Sequence, residues 1–188
     1  MRRRSLLFLS LLILLLGSLI LYQEHSTNFH VGTEGKLYRS AQLRGERLHY
    51  YLQRYGIRSI LNLREVDHDE WYQEEVMIAR QMGVSHYDYP ISSNETLTME
   101  QMEEIVGILL RAPKPLLVHC QGGVDRTGLV SALWEYAVEG KTPEEAAEQL
   151  SLGYGILALF KGPKDAMRES FWRFVREGRS HRKDEGID

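Results

Sequence analysis

A single cysteine, Cys120, stands in a chain of 188 residues. One thiol excludes an intramolecular disulfide and any cysteine-rich zinc site. The histidines show no metal-ligand spacing, so neither a metal nor a cofactor is expected. Proline is scarce, at 5 residues, and no internal repeat or low-complexity tract is present, which excludes fibrous and disordered classes. An excess of basic charge is missing as well: the formal net charge is -3. Residues 1–22 hold three arginines and no acid, leaving 20 basic against 26 acidic residues, or -6, for the remainder. A body of that sign lacks the basic face that nucleic-acid binding requires, so no nucleic-acid partner is expected. The length suits one domain with a proper core and is short for two.

Long apolar runs are missing too, with one exception. Arg2-Arg3-Arg4 precedes a stretch from Leu6 to Tyr22 broken only by Ser10, Gly17 and Ser18. Some ~17 residues at about 1.5 Å each reach roughly 25 Å, enough for a thin hydrocarbon core. The arginines hold the N-terminus in the cytoplasm and send the rest across. Residues 1–22 therefore read as a transmembrane signal anchor, residues 23–32 as a polar tether, 33–178 as the folded domain and 179–188 as a polar tail. The expected location is a bacterial inner membrane, single-pass, with the domain facing the periplasm. A cleaved signal peptide is the competing reading; the long apolar region and the absence of an A-x-A-like site weigh against it.

Beyond the tether, helical and extended patterns alternate. Leu37–Ser40 reads as a short strand. Leu48, Tyr51, Leu52 and Tyr55 give helical spacing over residues 46–55, and Gly56 ends it. Residues 57–63 (IRSILNL) form a buried strand, 68–82 a second helix, and 84–89 a third strand. Thr98-Met99-Glu100-Gln101 is a capping box for a helix that Pro113 and Pro115 terminate. Leu116–His119 is a central strand, followed by a Gly-rich turn and a helix over 127–138. Thr142-Pro143-Glu144-Glu145 opens another helix with proline at its first position, and 163–177 makes the last. Such alternation predicts an α/β fold with a central, mostly parallel sheet flanked by helices.

The stretch PLLVHCQGGVDRTGLVSALW (residues 115–134) concentrates the chemistry. A buried strand ends at His119, Cys120 follows, and a short loop reaches Arg126 at the start of a helix. Ligand sites in α/β sheets lie at the carboxyl ends of strands. Successive backbone N–H groups leading into a helix N-terminus make an anion cradle, and Gly122 and Gly123 let the backbone curl around a small anion. Arg126 supplies a planar fork for two phosphate oxygens. Helix N-termini and nearby cations favour a thiolate, and a thiolate at the floor of such a cradle is placed to attack phosphorus. Thr127 is positioned to hydrogen-bond the sulfur, and His119 to orient the loop.

HCQGGVDRTG resembles the HCxxGxxR[ST]G signature of the cysteine-dependent protein tyrosine/dual-specificity phosphatase superfamily. KLYRSAQL, IRSILNLR and YPI occur in the order found in compact bacterial and fungal dual-specificity-like members, so the resemblance spans residues 29–177. It implies a metal-free phosphomonoesterase working through a phosphocysteine intermediate. Cys120 would be the nucleophile and Arg126 the phosphate clamp. Gln121, Gly122, Gly123, Val124, Asp125 and Thr127 would bind the substrate phosphate, and Arg39 would support the loop. Phosphotyrosine or phosphoprotein, or a membrane-associated phosphate, is the implied substrate class.

The leaving oxygen needs a proton donor, which such enzymes usually supply as an aspartate before the helix preceding the signature. Here that loop reads YDYPISSNETLT, with no aspartate after Pro90. Glu95 is the first choice by position, then Asp125 inside the loop, with Asp88 more suited to a structural role in its strand. Apart from Arg126 the loop carries no basic residue, which points to a substrate with few phosphates. Lys161 and Lys164 offer a second basic contact, although a solvated surface explains them equally. Tyr87 and Tyr89 are candidate pocket walls, whereas Trp134, Tyr136, Trp172 and Phe174 sit at core spacings. Two other classes stay open. One is a catalytically weak phosphate-binding module on the same fold. The other is sulfur transfer or arsenate reduction, and a lone cysteine disfavours the reductase, which needs a resolving thiol.

Overall fold

The computed structural model describes residues 27–66, 69–154 and 166–184, together with Leu14, Gly17 and Ser18. Among them are five strands, β1 (His30–Thr33), β2 (Leu37–Ser40), β3 (Ser59–Asn62), β4 (Ser85–Asp88) and β5 (Leu116–His119). Six α-helices accompany them: α1 (Gly45–Arg54), α2 (Glu70–Gln81), α3 (Met99–Arg111), α4 (Asp125–Leu133), α5 (Pro143–Ala147) and α6 (Ala166–Asp184). The sheet order is β1-β2-β5-β3-β4, with β1 antiparallel and the other pairings parallel. This is the mostly parallel α/β sheet that the alternation predicts.

Strand alternation assigns the two faces. Leu37, Leu61, Leu116 and Val118 point to one side, where Met102, Ile105 and Leu109 of α3, Leu129 and Leu133 of α4, and Phe171 of α6 cover them. Tyr38, Ile60 and Leu117 point to the other, against Leu48 and Leu52 of α1 and Ile78 and Ala79 of α2. β2, β3 and β5 are buried along their whole length, as strands covered on both faces of a parallel sheet are. Helix α4 is wrapped by protein, with Thr127 through Leu133 all buried.

Several boundaries follow local chemistry. Thr98 closes its capping box with Gln101 as the sequence predicts, and Thr142 does the same with Glu145. Gly56 stops α1 with φ 58°. The helix expected over 127–138 is instead α4 followed by a π-helical turn, Trp134–Val138. There the Trp134 indole donates to Thr33 Oγ1 at 3.0 Å. β1 begins at His30, inside the segment read as a tether.

The predicted anchor, apart from Leu14, Gly17 and Ser18, lies outside the described residues, as do Lys161, Lys164 and the end of the polar tail. Among the described residues no helix is long and apolar enough to cross a membrane.

Candidate active site

β5 lies between β2 and β3, with His119 in register with both Ser40 and Asn62. The chain therefore leaves the sheet at Cys120 with a neighbouring strand end on each side. Cys120 is buried, at 3 % exposure, and the loop Gln121–Val124 returns the chain to the N-terminus of α4. Each carbonyl of that loop is taken from outside. Gln121 accepts from the Gln42 N–H at 3.2 Å. Gly122 accepts from Asn28 Nδ2 at 2.8 Å. Arg39 Nη2 donates to Gly123 O at 3.0 Å and to Val124 O at 3.3 Å, and Gly128 N–H reaches Val124 O at 2.8 Å. With the carbonyls turned outward, the amides of Gln121–Val124 are left with no protein acceptor among the described residues. This is the geometry of an anion nest.

Gly123 makes the curl possible. Its φ is 68°, and a Cβ there would lie 2.5 Å from Ala41 N and 2.6 Å from Ser40 O. Gly123→Ala is expected to cost about 1–3 kcal/mol from the backbone conformation alone. The clash would also push the loop off β2, so thermal unfolding and aryl phosphate turnover should worsen together. An alanine variant with wild-type melting and turnover would contradict this close approach.

Arg39 is the inner support. It is fully buried, and burial is the main reason its guanidinium is lowered to about 10. Nη1 donates to Gln149 O at 2.9 Å and Gln149 Oε1 at 2.6 Å. Gln149 Nε2 in turn donates to the buried Glu135 at 2.8 Å. Tyr154 stacks on the guanidinium at 3.7 Å. Asn28, at φ 39°, joins the same assembly: its amide also donates to Tyr154 O at 2.9 Å, and its Oδ1 pairs with His30 Nε2 at 2.8 Å. The loop support expected of Arg39 is thus present, and the segment just before β1 shares it.

On the other side of the sheet, α2 places a buried carboxylate against His119. Glu75 Oε1 lies 3.0 Å from His119 Nε2 and 2.9 Å from His86 Nε2, and Oε2 accepts from Gln42 Nε2 at 2.6 Å. Burial alone would raise Glu75, but the charges and hydrogen bonds of His119 and His86 outweigh it and hold the carboxyl at about 2. Burial likewise opposes a charged His86, yet its bonds to Asp88 and Glu75 push it up to about 9. Asp88 accepts from Asn62 Nδ2 at 2.9 Å and Tyr72 OH at 2.8 Å, the structural role that suits a strand residue.

Arg126 Nη1 donates to Leu63 O at 3.2 Å and Ile91 O at 3.4 Å, so the guanidinium is braced between the ends of β3 and of the segment after β4. Asp125 occupies the first turn of α4 beside it. Glu95 is exposed on the loop before α3, and no hydrogen bond or ion pair joins it to the phosphate loop. Thr127 Oγ1 is buried with no hydrogen-bond partner among the described residues, so the expected bond to sulfur is not formed here. Tyr89 does not face the loop: its hydroxyl donates to Glu104 Oε2 at 2.6 Å, and Tyr87 packs against the core. Trp134 is core, and Tyr136, Trp172 and Phe174 pack on it.

A cysteine at a strand end, an amide nest and a helix N-terminus carrying an arginine are the arrangement that thiol-based phosphoryl transfer requires. Residues 19–156 match the family described as DSP-PTPase phosphatase fused to NAD+ Kinase. The chain belongs to this dual-specificity-type phosphatase family and is a cysteine-based phosphatase. Solved structures share its fold. P. aeruginosa TpbA is 22% identical, covering 77% of this chain and 91% of that one, with a TM-score of 0.57. The core catalytic domain of the PP-IP phosphatase SIW14 from S. cerevisiae is 21% identical, covering 85% and 93%, with a TM-score of 0.63. PTPMT1 is 14% identical, covering 83% and 99%, with a TM-score of 0.64. A search of curated protein sequences gave no significant match.

Proposed function

We propose that this chain hydrolyses phosphomonoesters through a phosphocysteine intermediate, with Cys120 as nucleophile and Arg126 as phosphate clamp. The supporting observation is the loop whose carbonyls are all held from outside, so that its amides converge above a cysteine at the end of β5. The sulfur attacks phosphorus as the bond to the leaving oxygen breaks, and that oxygen takes up a proton. Water then attacks the phosphocysteine, the S–P bond breaks, and phosphate leaves with the thiolate restored. Cradle amides and Arg126 bear the charge that develops on the equatorial oxygens.

Asp125 is the better-placed acid, since it begins α4 next to Arg126, whereas Glu95 is solvated and makes no hydrogen bond or ion pair to the loop among the described residues. Asp125→Asn is expected to slow an alkyl phosphate about 10²-fold while slowing an aryl phosphate much less, because the aryl leaving group needs little protonation. Glu95→Gln is expected to stay within about twofold on both. Measured with both esters, the opposite ranking would move the acid to Glu95.

The substrate class is a phosphoprotein, phospholipid or small phosphoester. TpbA has been solved in complex with pTyr and PTPMT1 with PI(5)P, so the shared fold accommodates both kinds. We further place the folded domain, which takes in β1 and α6 at its two ends, on the non-cytoplasmic side of a membrane, held by the basic-then-apolar segment 1–22 through a short tether. The support is the sequence pattern alone; membrane fractionation with protease accessibility tests it. Failure of the wild-type chain to release phosphate from an aryl ester between pH 5 and 7 would leave a phosphate-binding module instead.

A further inference from the structure

The amides of the phosphate loop are aimed by whatever holds its carbonyls. A trans peptide is planar, so its C=O and the N–H of the next residue point opposite ways. The Gln42 N–H on Gln121 O turns the Gly122 N–H inward, and Arg39 on Gly123 O does the same for the Val124 N–H. The Gly123 N–H depends on Gly122 O, whose donor is Asn28 Nδ2 at 2.8 Å. Packing does not fix that peptide. Gly122 is exposed, and a Cβ built on it would meet nothing nearer than Val124 Cγ2 at 4.0 Å. A glycine on either side also leaves both flanking dihedrals free to turn. One side-chain bond therefore sets the direction of one cradle donor.

Asn28 is itself fixed. Its Nδ2 also donates to Tyr154 O at 2.9 Å. With two carbonyls on the NH₂, Oδ1 is left as the acceptor, so His30 Nε2, 2.8 Å away, is the donor. The His30 ring meets Tyr154 edge-on at 4.9 Å, and Tyr154 lies on the Arg39 guanidinium. Before Asn28, Thr27 O accepts from the Ala41 N–H at 2.9 Å. After it, Phe29 stacks on Tyr51 at 4.3 Å and tilts against Tyr55 at 4.6 Å. The backbone, at φ 39°, suits asparagine better than most residues that carry a side chain. Thr27 and Phe29 already tie this segment to the fold, which leaves the Asn28 amide for the loop.

We propose that Asn28 is a positioning residue for phosphoryl transfer: by holding Gly122 O outward it aims the Gly123 N–H at an oxygen of the phosphoryl group. The proposal rests on the reading of Cys120–Arg126 as the phosphate site and deepens it, since the segment ahead of β1 becomes part of the cradle rather than a linker. A preorganised donor matters most where charge grows during the reaction, so losing its aim falls on kcat more than on KM.

The test uses the full chain, with aryl phosphate as substrate and orthovanadate, whose five-coordinate form mimics the transition state, as inhibitor. Asn28→Gly removes the amide while accepting the positive φ. Gly56→Ala is the control: it strains a φ of 58° ahead of β3, at the end of the parallel strands away from Cys120, and lowers stability only. Asn28→Gly is expected to lower kcat about tenfold or more, with KM within about threefold, and to weaken vanadate as much as it lowers kcat. Gly56→Ala should melt earlier yet keep kcat and vanadate affinity within about twofold. The assignment is refuted if Asn28→Gly keeps both, if kcat falls while vanadate binds as before, or if Gly56→Ala loses vanadate as strongly. Should the glycine variant not fold, Asn28→Asp keeps the size and the His30 contact but turns an oxygen towards Gly122 O. It must show the same joint loss at about 0.5 M salt, where its charge is screened, and wild-type values there overturn the proposal. Should the chain turn over no aryl phosphate, the phosphatase reading fails separately. Calorimetric titration of inorganic phosphate then decides, with about fivefold weaker binding expected for Asn28→Gly and unchanged binding refuting the role.

Discussion

Cys120→Ser is expected to abolish aryl phosphate hydrolysis, on the order of 10⁴-fold or more in kcat, while leaving phosphate binding nearly intact. Serine matches the thiol in shape, so the cradle, the outward carbonyls and the Arg126 brace all persist. What disappears is the sulfur nucleophile, since a serine hydroxyl with no adjacent base is a far weaker one. The loss should therefore fall on kcat, with inorganic phosphate still titrating into the variant at close to wild-type affinity. Rapid acid quench should trap phosphorylated protein from wild type and none from the serine form. Residual turnover within tenfold of wild type would mean that the sulfur is not the nucleophile, and that the nest activates water or serves binding alone.

The elements that share one rule between neighbouring residues were legible in the sequence. β5, the phosphate loop and α4 are a contiguous run in which apolar length, glycine and helix onset leave little choice, and the Thr98 capping box follows from three-residue spacing. The supports of that loop come from far along the chain. Asn28 lies 94 residues from Gly122, and Arg39 lies 84 from Gly123; a polar residue in a stretch that looks like linker gives no local hint of this. Glu75 was hidden for another reason. It sits on a helix rich in acids, where a charged residue normally faces water, and only the packing of α2 on the sheet buries it at 1 % exposure. Glu95 stands out by its place along the chain, and it is exposed on the loop before α3. β1 escaped notice because HVGT is short and sits at the sheet edge, with no second buried face to mark it.

Glu75→Gln should produce the second large effect, on stability, activity and pH response together. One carboxylate oxygen receives two imidazole N–H groups and the other receives the Gln42 amide. An amide in either orientation sets an NH₂ against one of those donors. Breaking a buried ionic network by removing one partner costs about 3–5 kcal/mol, or roughly 10 °C in melting temperature for a domain of this size. Activity should fall as well, because Glu75 steadies His119 just before Cys120 and, through Gln42, the carbonyl of Gln121. The pH dependence carries its own sign. His86 is raised to about 9, so its stabilisation is complete below its ordinary value near 6.5 and is lost as pH rises through 9. Glu75 is depressed to about 2, so its share is complete above its ordinary value near 4.5 and is lost on acidification towards 2. Wild type should therefore be most stable between about pH 4.5 and 6.5 with respect to this network, and its melting temperature should drop from pH 6.5 to 9. Glu75→Gln should flatten that drop, leaving only the part due to Asp88 beside His86. An unchanged slope in the variant would show that His86 does not hold its proton for Glu75, and the loop's second support would have to lie elsewhere.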